Sequence, residues 1–518
     1  MKPQVDVAFV IPGNLKEVYQ VFASEHAIEP PIFALWMASY VLHRGVSAAF
    51  IDAVALDLAP EQVAGAVGDM SPRLVVIVVY GYQPSASTQN MPAARSISRA
   101  IKDLRPDLKV LMVGTHPAAL PELTLREEPV DFVCDGEGPI TIYEMVEALK
   151  AGGDFRNVRG VLYFADQARK DIEHNPSPPL IADLNTVTPD FPWHLLPMER
   201  YRAHDWHTDY DDLENRSPYG SILTTLGCPY HCTFCCIQSP FKAGEAAKGL
   251  RAEANSYRYW SPELVLKTIE TLVEKYGVRH IKIHDEMFVL NAKHVTGVAA
   301  LIRERFGDSL NIWAYARIDT TRENLLDALR SAGFRWLGIG IESASAHVRD
   351  GVDKSFKEDM IPAVIERVHA ADIRVGANYI FGLPDDTHQS MQQTLSLAQK
   401  LNTAYANFYC AMAYPGSKLY RMAKENGWPL PDDPGGPGWI GYSQHSYETM
   451  PLPTETLRAA EVLRFRDGAW RAYYTDPRYL EMVRAKLSDR AVRNIERMTS
   501  LPPLERALLD RESETAPA

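Results

Sequence analysis

The chain has 518 residues, 46% of them hydrophobic and 23% charged, with a formal net charge of −12. That length exceeds a single hydrophobic core and predicts roughly two to four domains. The acidic balance argues against a general nucleic-acid or anionic-membrane surface, which needs clustered Lys and Arg. The amino terminus carries a charge within its short apolar run and reads as a first strand rather than a signal peptide. The most apolar later run, residues 74–80, is far shorter than the roughly 20 residues of a membrane helix. We therefore expect a cytoplasmic monomer with no membrane span and no nucleic-acid partner.

From residue 5 to about 151, apolar runs alternate with helical patterns, which predicts a parallel sheet with crossover helices. Strands are expected over residues 5–11, 48–52, 74–80, 109–113 and 131–134, and helices near 32–43, 60–67, 93–104 and 140–149. This is the spacing of a doubly wound, flavodoxin-like (Rossmann-type) α/β domain over residues 1–151, with ligands beyond the carboxyl ends of its strands. The loops there, residues 80–88, 114–117 and 135–138, are rich in glycine and hydroxyl residues. They suit a planar cofactor, and equally suit plain turns.

Residues 152–217 are proline-rich and read as a linker with an extra strand. A second series covers residues 218–420, with strands expected at 221–225, 280–284, 312–317, 336–341, 374–380 and 406–411. Six βα units predict a partial (βα)6, TIM-like barrel with reactive groups at the carboxyl ends of its strands. Residues 421–518 read as a small helical domain, with helices near 454–473 and 479–497 and a disordered tail from Arg511.

Half of the six cysteines, Cys228, Cys232 and Cys235, form a Cys-x3-Cys-x2-Cys array directly after the first strand of the second series. So tight a cluster indicates a metal site in a reducing compartment, not a disulfide framework. Three thiolates can hold three irons of a cubane cluster and leave the fourth iron open. A structural zinc site that recruits His231 as fourth ligand is the alternative. Cys236 reads as a buried thiol.

The array, with Phe234 before its last cysteine and a partial barrel behind it, resembles the radical S-adenosylmethionine enzymes over residues 221–420. The resemblance implies a [4Fe-4S] cluster on Cys228, Cys232 and Cys235, with S-adenosylmethionine chelating the open iron. Gly340-Ile341-Glu342-Ser343 resembles the element whose Glu and Ser lie near S-adenosylmethionine. Asp285 and Glu286 resemble an acidic pair of the family, and Arg317 an arginine that faces the methionyl carboxylate. Helix capping by the acids and a plain ion pair at Arg317 are the competing readings.

With the flavodoxin-like domain in front, nearly the whole chain resembles the cobalamin (B12)-binding branch. That implies cobalamin between the first sheet and the barrel mouth. Its lining would come from Gln83, Ser85, Ser87 and Thr88, from Gly114, Thr115, His116 and Pro117, and from Gly136, Glu137 and Gly138. The Asp-x-His-x-x-Gly ligand motif is absent, since the first loop reads Pro12-Gly13-Asn14-Leu15-Lys16.

The implied reaction is methylation of an unactivated carbon of a small, secondary-metabolite or lipid-like molecule, through a 5'-deoxyadenosyl radical and methylcobalamin. A flavodoxin or ferredoxin-type donor would supply electrons. Oxidative cyclisation or rearrangement with the same cofactors is the alternative, and a non-catalytic zinc or cobalamin sensor is a rival of another class. Cys410 and the aromatic residues Trp439, Tyr442, His445, Tyr447, Trp470, Tyr473 and Tyr474 read as packing.

Overall fold

The computed structural model describes residues 5–81, 86–166 and 168–515. Its first sheet contains β1 (Val7–Ile11), β2 (Ala48–Asp52), β3 (Leu74–Val79), β4 (Lys109–Gly114), β5 (Phe132–Cys134), β6 (Val161–Phe164) and β7 (Ile172–His174), in the order β2-β1-β3-β4-β5-β6-β7. The first five are parallel. All six residues of β3 are buried, as expected of a central strand covered by helices on both faces. The segment read as a linker with one extra strand supplies two, β6 and β7, which add antiparallel to β5 and carry the sheet past residue 151. Tyr163 anchors them by packing on Phe132 and Phe155.

The rest of that proline-rich segment forms short helical turns that pack against the amino-terminal end of the barrel. Trp206 sits edge-on to Trp313 and Trp336 and stacks on Tyr405, with ring centroids 5.0–5.2 Å apart. His207 bonds the Asn311 carbonyl, and Asp209 pairs with Arg374, both at strand starts.

The second sheet holds β8 (Tyr219–Ile222), β11 (His280–Ile283), β12 (Asn311–Arg317), β13 (Phe334–Glu342), β14 (Arg374–Phe381) and β15 (Tyr405–Cys410), in the order β15-β14-β13-β12-β11-β8 and all parallel. This is the partial six-stranded barrel. The strand expected over 221–225 divides: it leaves the sheet after Ile222, and β9 (Thr225–Leu226) pairs antiparallel with β10 (Arg258–Tyr259). The cause is Asp285, whose carboxylate accepts the Thr224 and Thr225 N–H groups at 2.6 and 3.0 Å and so takes them out of the ladder.

The carboxyl-terminal helices run over Ala459–Tyr474, Pro477–Lys486, Asp489–Thr499 and Ala507–Thr515. The single helix expected over 479–497 breaks at Ser488, whose hydroxyl caps the next helix by accepting the Ala491 N–H. Residues 511–515, expected to be disordered, are helical. Buried Arg506 fixes that helix's start through Asp467, at 2.8–2.9 Å. Arg497 pairs with Glu25, and the Gln20 side chain bonds both ways with the Glu505 backbone, so the last helices are tied to the first domain. Among the described residues no helix is long and apolar enough to cross a membrane.

Candidate active site

Gly227 turns the chain into the cysteine loop at φ 87°, where a Cβ would lie 2.3 Å from the Ser256 carbonyl oxygen, so a larger residue does not fit. The loop is then held from several sides. The Cys228 N–H donates to the Gln238 side chain, the Cys235 N–H to the Cys232 carbonyl, the Thr233 N–H to the Val352 carbonyl and the Leu419 N–H to the Thr233 carbonyl. Cys228, Cys232 and Cys235 are half-buried and share the wall of one cavity of about 490 Å³ that runs from the mouth of the barrel through its lumen to Trp206 and Tyr405.

Burial pushes the Cys228 thiol up to about 12 and Cys235 well above the usual thiol range, so a cationic ligand is required to make them thiolates. His231 is exposed, with its ring beside the Asn255 amide at 3.3 Å, turned from the array. Among the described residues no three His, Cys, Asp or Glu side chains converge on a single ion. Three thiols spread around one loop fit a multi-iron cluster with an open corner better than a closed zinc site. Cys236 and Cys410, both buried, also border the cavity.

The expected partners fall into two groups. Arg317 borders the cavity, donates to Cys232 Sγ at 3.5 Å, lies 3.9 Å over the Tyr230 ring and pairs with Asp319 at 2.9 Å, so it is at once an ion pair and a neighbour of the array. Glu342 reaches the cavity from a φ of 63° and is bonded to buried Lys354. Glu286 also borders the cavity, and burial pushes its carboxyl up to about 8, which keeps it neutral at pH 7.

Asp285 neither caps the following helix nor opens on the cavity. It is buried against the Thr224–Thr225 backbone and the Thr224 hydroxyl, which meets His294 at 2.9 Å. Ser343 is buried against Thr394.

In the first domain, Gln83 and Ser85 lie outside the described residues. Ser87 and Thr88 are buried and bonded to the Thr115–His116 turn: the His116 N–H donates to Ser87 Oγ at 2.9 Å, and its ring meets Thr88 Oγ1 at 3.2 Å and the Trp439 ring at 4.5 Å. A Cβ on Gly114 would strike the Val79 carbonyl oxygen, and one on Gly138 the Met37 side chain, so both glycines serve close packing. Glu137 forms a buried ion pair with Arg258 at 2.5 Å and accepts the Ile181 N–H at 3.0 Å, joining the first sheet to the barrel.

The open space at the carboxyl end of the first sheet is lined instead by Pro12–Leu15, Pro30–Phe33, Tyr80 and Gln89, with His284 of the barrel. Those residues surround the switch point between β1 and β3, where a doubly wound sheet binds its ligand; strand order supplies a signal that composition does not. Also unforeseen is the buried pair of Glu29 and Lys282, 2.8 Å apart on the cavity wall, with His284 at 3.6 Å from Glu29. The charge of Lys282 inside an apolar strand is its only trace in the sequence.

Comparison with known proteins agrees with this architecture. Residues 222–398 match the radical SAM superfamily and residues 21–146 the B12 binding domain. An uncharacterized methyltransferase of Pyrococcus horikoshii is 28% identical over 398 residues, 77% of this chain and 79% of that protein. The anaerobic magnesium-protoporphyrin IX monomethyl ester cyclase of Rubrivivax gelatinosus is 26% identical over 76% of this chain and 66% of its own length. In fold, the chain is similar to the radical S-adenosylmethionine methyltransferase TsrM of Kitasatospora setae, solved with cobalamin and a [4Fe-4S] cluster, at a TM-score of 0.65 and 16% identity over 91% of this chain and 89% of that one.

Proposed function

Because the chain belongs to the cobalamin-binding radical S-adenosylmethionine enzymes, we propose that it methylates an unactivated carbon of a small molecule. Its two matched domains imply cobalamin, S-adenosylmethionine and a [4Fe-4S] cluster as cofactors. The observation that carries the reading is the single cavity onto which the three thiols of Cys228, Cys232 and Cys235 converge, between the barrel mouth and the first domain.

When bound, these groups supply hydrogen-atom abstraction and a methyl donor. The chain's own residues position and seclude them. Cys228, Cys232 and Cys235 hold the cluster, Asp285 fixes the backbone that leads into their loop, and Arg317 places a fixed positive charge against Cys232. Glu342 and Lys354 offer the amino-acid part of S-adenosylmethionine one acceptor and one donor. The space around the β1–β3 switch point, about 50 Å³, would take only an edge of cobalamin, which would extend from there into the adjoining larger cavity past the shared residues Tyr19, Gln89 and His284. The carboxyl-terminal helices, tied to the first domain through Arg497 and Gln20, wall the cavity from water.

Oxidative cyclisation is the second reading, favoured by the similarity to the cyclase. Anaerobic turnover of the reconstituted enzyme with candidate substrates separates the two. S-adenosylhomocysteine and 5'-deoxyadenosine in equal amounts with a methylated product support the proposal, and deoxyadenosine without S-adenosylhomocysteine overturns it.

A further inference from the structure

One wall of the cavity is a continuous ladder of flat side chains. Tyr19 lies on His26 with centroids 3.6 Å apart, His26 meets His204 at 4.7 Å, His204 stacks on Trp206 at 5.5 Å, and Trp206 stacks on Tyr405 at 5.0 Å. All five border the same cavity as the cysteine loop. They come from three separate parts of the chain: the segment before the helix Ile32–Leu42, the turns under the barrel, and β15, which is the edge strand opposite β8.

Rings that merely fill a core are covered on both faces. Here Tyr19, His26, His204 and Tyr405 lie deep in the molecule yet stay half-buried, so their remaining surface faces the void. Burial pushes His26 down to about 4 and His204 well below the usual imidazole range, so this wall carries no histidine charge at neutral pH.

The barrel lumen adds a second, independent sign. Trp313 and Tyr315 of β12 project into the same cavity, and the neighbouring strand β13 carries Gly338 where a side chain would press on the Tyr315 ring. A Cβ on Gly338 would meet the Tyr315 ring at 3.0 Å, closer than ordinary contact. The backbone cost of glycine at one interior strand position is thus accepted for ring surface.

We propose that the substrate of this cavity is a flat, conjugated ring compound, bound against the Tyr19–His26–His204–Trp206–Tyr405 wall, and not a flexible aliphatic one. The inference rests on the reading of the cavity as the active site. His204 and Tyr405 cover both faces of Trp206, so the ladder turns ring edges to the void, and edge-to-face contact rewards an aromatic ligand there, whereas a puckered or flexible one keeps the area but loses ring contact.

The test uses the anaerobic holoenzyme and two probes of equal charge and similar size, 2-naphthylacetate and its decahydro analogue, titrated by calorimetry. The aromatic probe should bind roughly tenfold tighter, the size of one or two ring contacts. Tyr405→Leu and His204→Leu should each reduce that ratio to about threefold or less, while Tyr405→Phe, which keeps the ring, should retain it. Equal binding of the probes, binding of neither, or a ratio indifferent to the Leu variants overturns the proposal. The probe ratio in the unaltered enzyme decides the matter even if a Leu variant fails to fold. S-adenosylmethionine cleavage, followed in parallel, reports on the function separately: ring preference without cleavage refutes the function and leaves the ligand class standing, and cleavage without ring preference does the reverse.

Discussion

Asp285→Ala deletes the acceptor of two buried backbone N–H groups, those of Thr224 at 2.6 Å and Thr225 at 3.0 Å, and of the Thr224 hydroxyl. Each orphaned donor costs about 1–3 kcal/mol, so the variant should lose about 2–6 kcal/mol and with it the entry angle of the cysteine loop. Asp285→Asn is different. Both N–H groups bond the same oxygen, Oδ1, which the amide retains, and its NH2 can donate to Thr224 Oγ1, whose hydroxyl then donates to His294 Nε2 at 2.9 Å.

Burial also raises the Asp285 carboxyl from 3.8 to about 6. A raised folded-state value means the folded chain binds the proton more readily than the unfolded one. The contribution of Asp285 to stability is therefore fully present below about pH 4, is lost as the pH rises through about 6 and is flat above, the loss being about 3 kcal/mol for two units. Asn carries no such ionisation cost. Near neutral pH the Asn variant should lie within about 1 kcal/mol of the native protein or above it, and keep its iron and sulfide. Urea denaturation followed by circular dichroism, with iron and sulfide analysis, checks both variants. An Asn variant as unstable as the Ala variant refutes the positioning role, and a stable Asn variant that no longer binds S-adenosylmethionine shows Asp285 to be a ligand instead.

Replacing Cys228, Cys232 or Cys235 singly by Ala should abolish reconstituted iron and the cluster's visible absorbance with the near-ultraviolet circular dichroism unchanged, whereas Cys236→Ala and Cys410→Ala should keep both. Glu137→Gln leaves Arg258 as a buried, unpaired charge and should cost about 3–5 kcal/mol in thermal unfolding, with cobalamin still bound under native conditions, since Glu137 is an interdomain tie. Glu286 has its carboxyl raised from 4.5 to about 8, so by the same sign its own contribution to stability is lost as pH rises from about 5 to about 8; Glu286→Gln should remove that component from the profile of Tm against pH over the window.

The sequence by itself determined the parallel sheets, through apolar runs alternating with helical patterns, and the cysteine array, because metal chemistry depends on residue type and short spacing. Cys228, Cys232 and Cys235 share a short loop and needed no fold to be found together. The tertiary structure decided what lies across the chain from what. Glu29 meets Lys282 over 253 positions, and Glu137 meets Arg258 across two domains; no local pattern encodes such pairs. It also turned residues with suggestive chemistry inward, since Ser87, Thr88 and His116 satisfy one another and the backbone in place of lining open space. Most of all, it gave the cysteine loop its setting. Three thiols fix which element can be held, but the walls that choose a substrate, from Tyr19 to Tyr405, come from parts of the chain that only folding brings together.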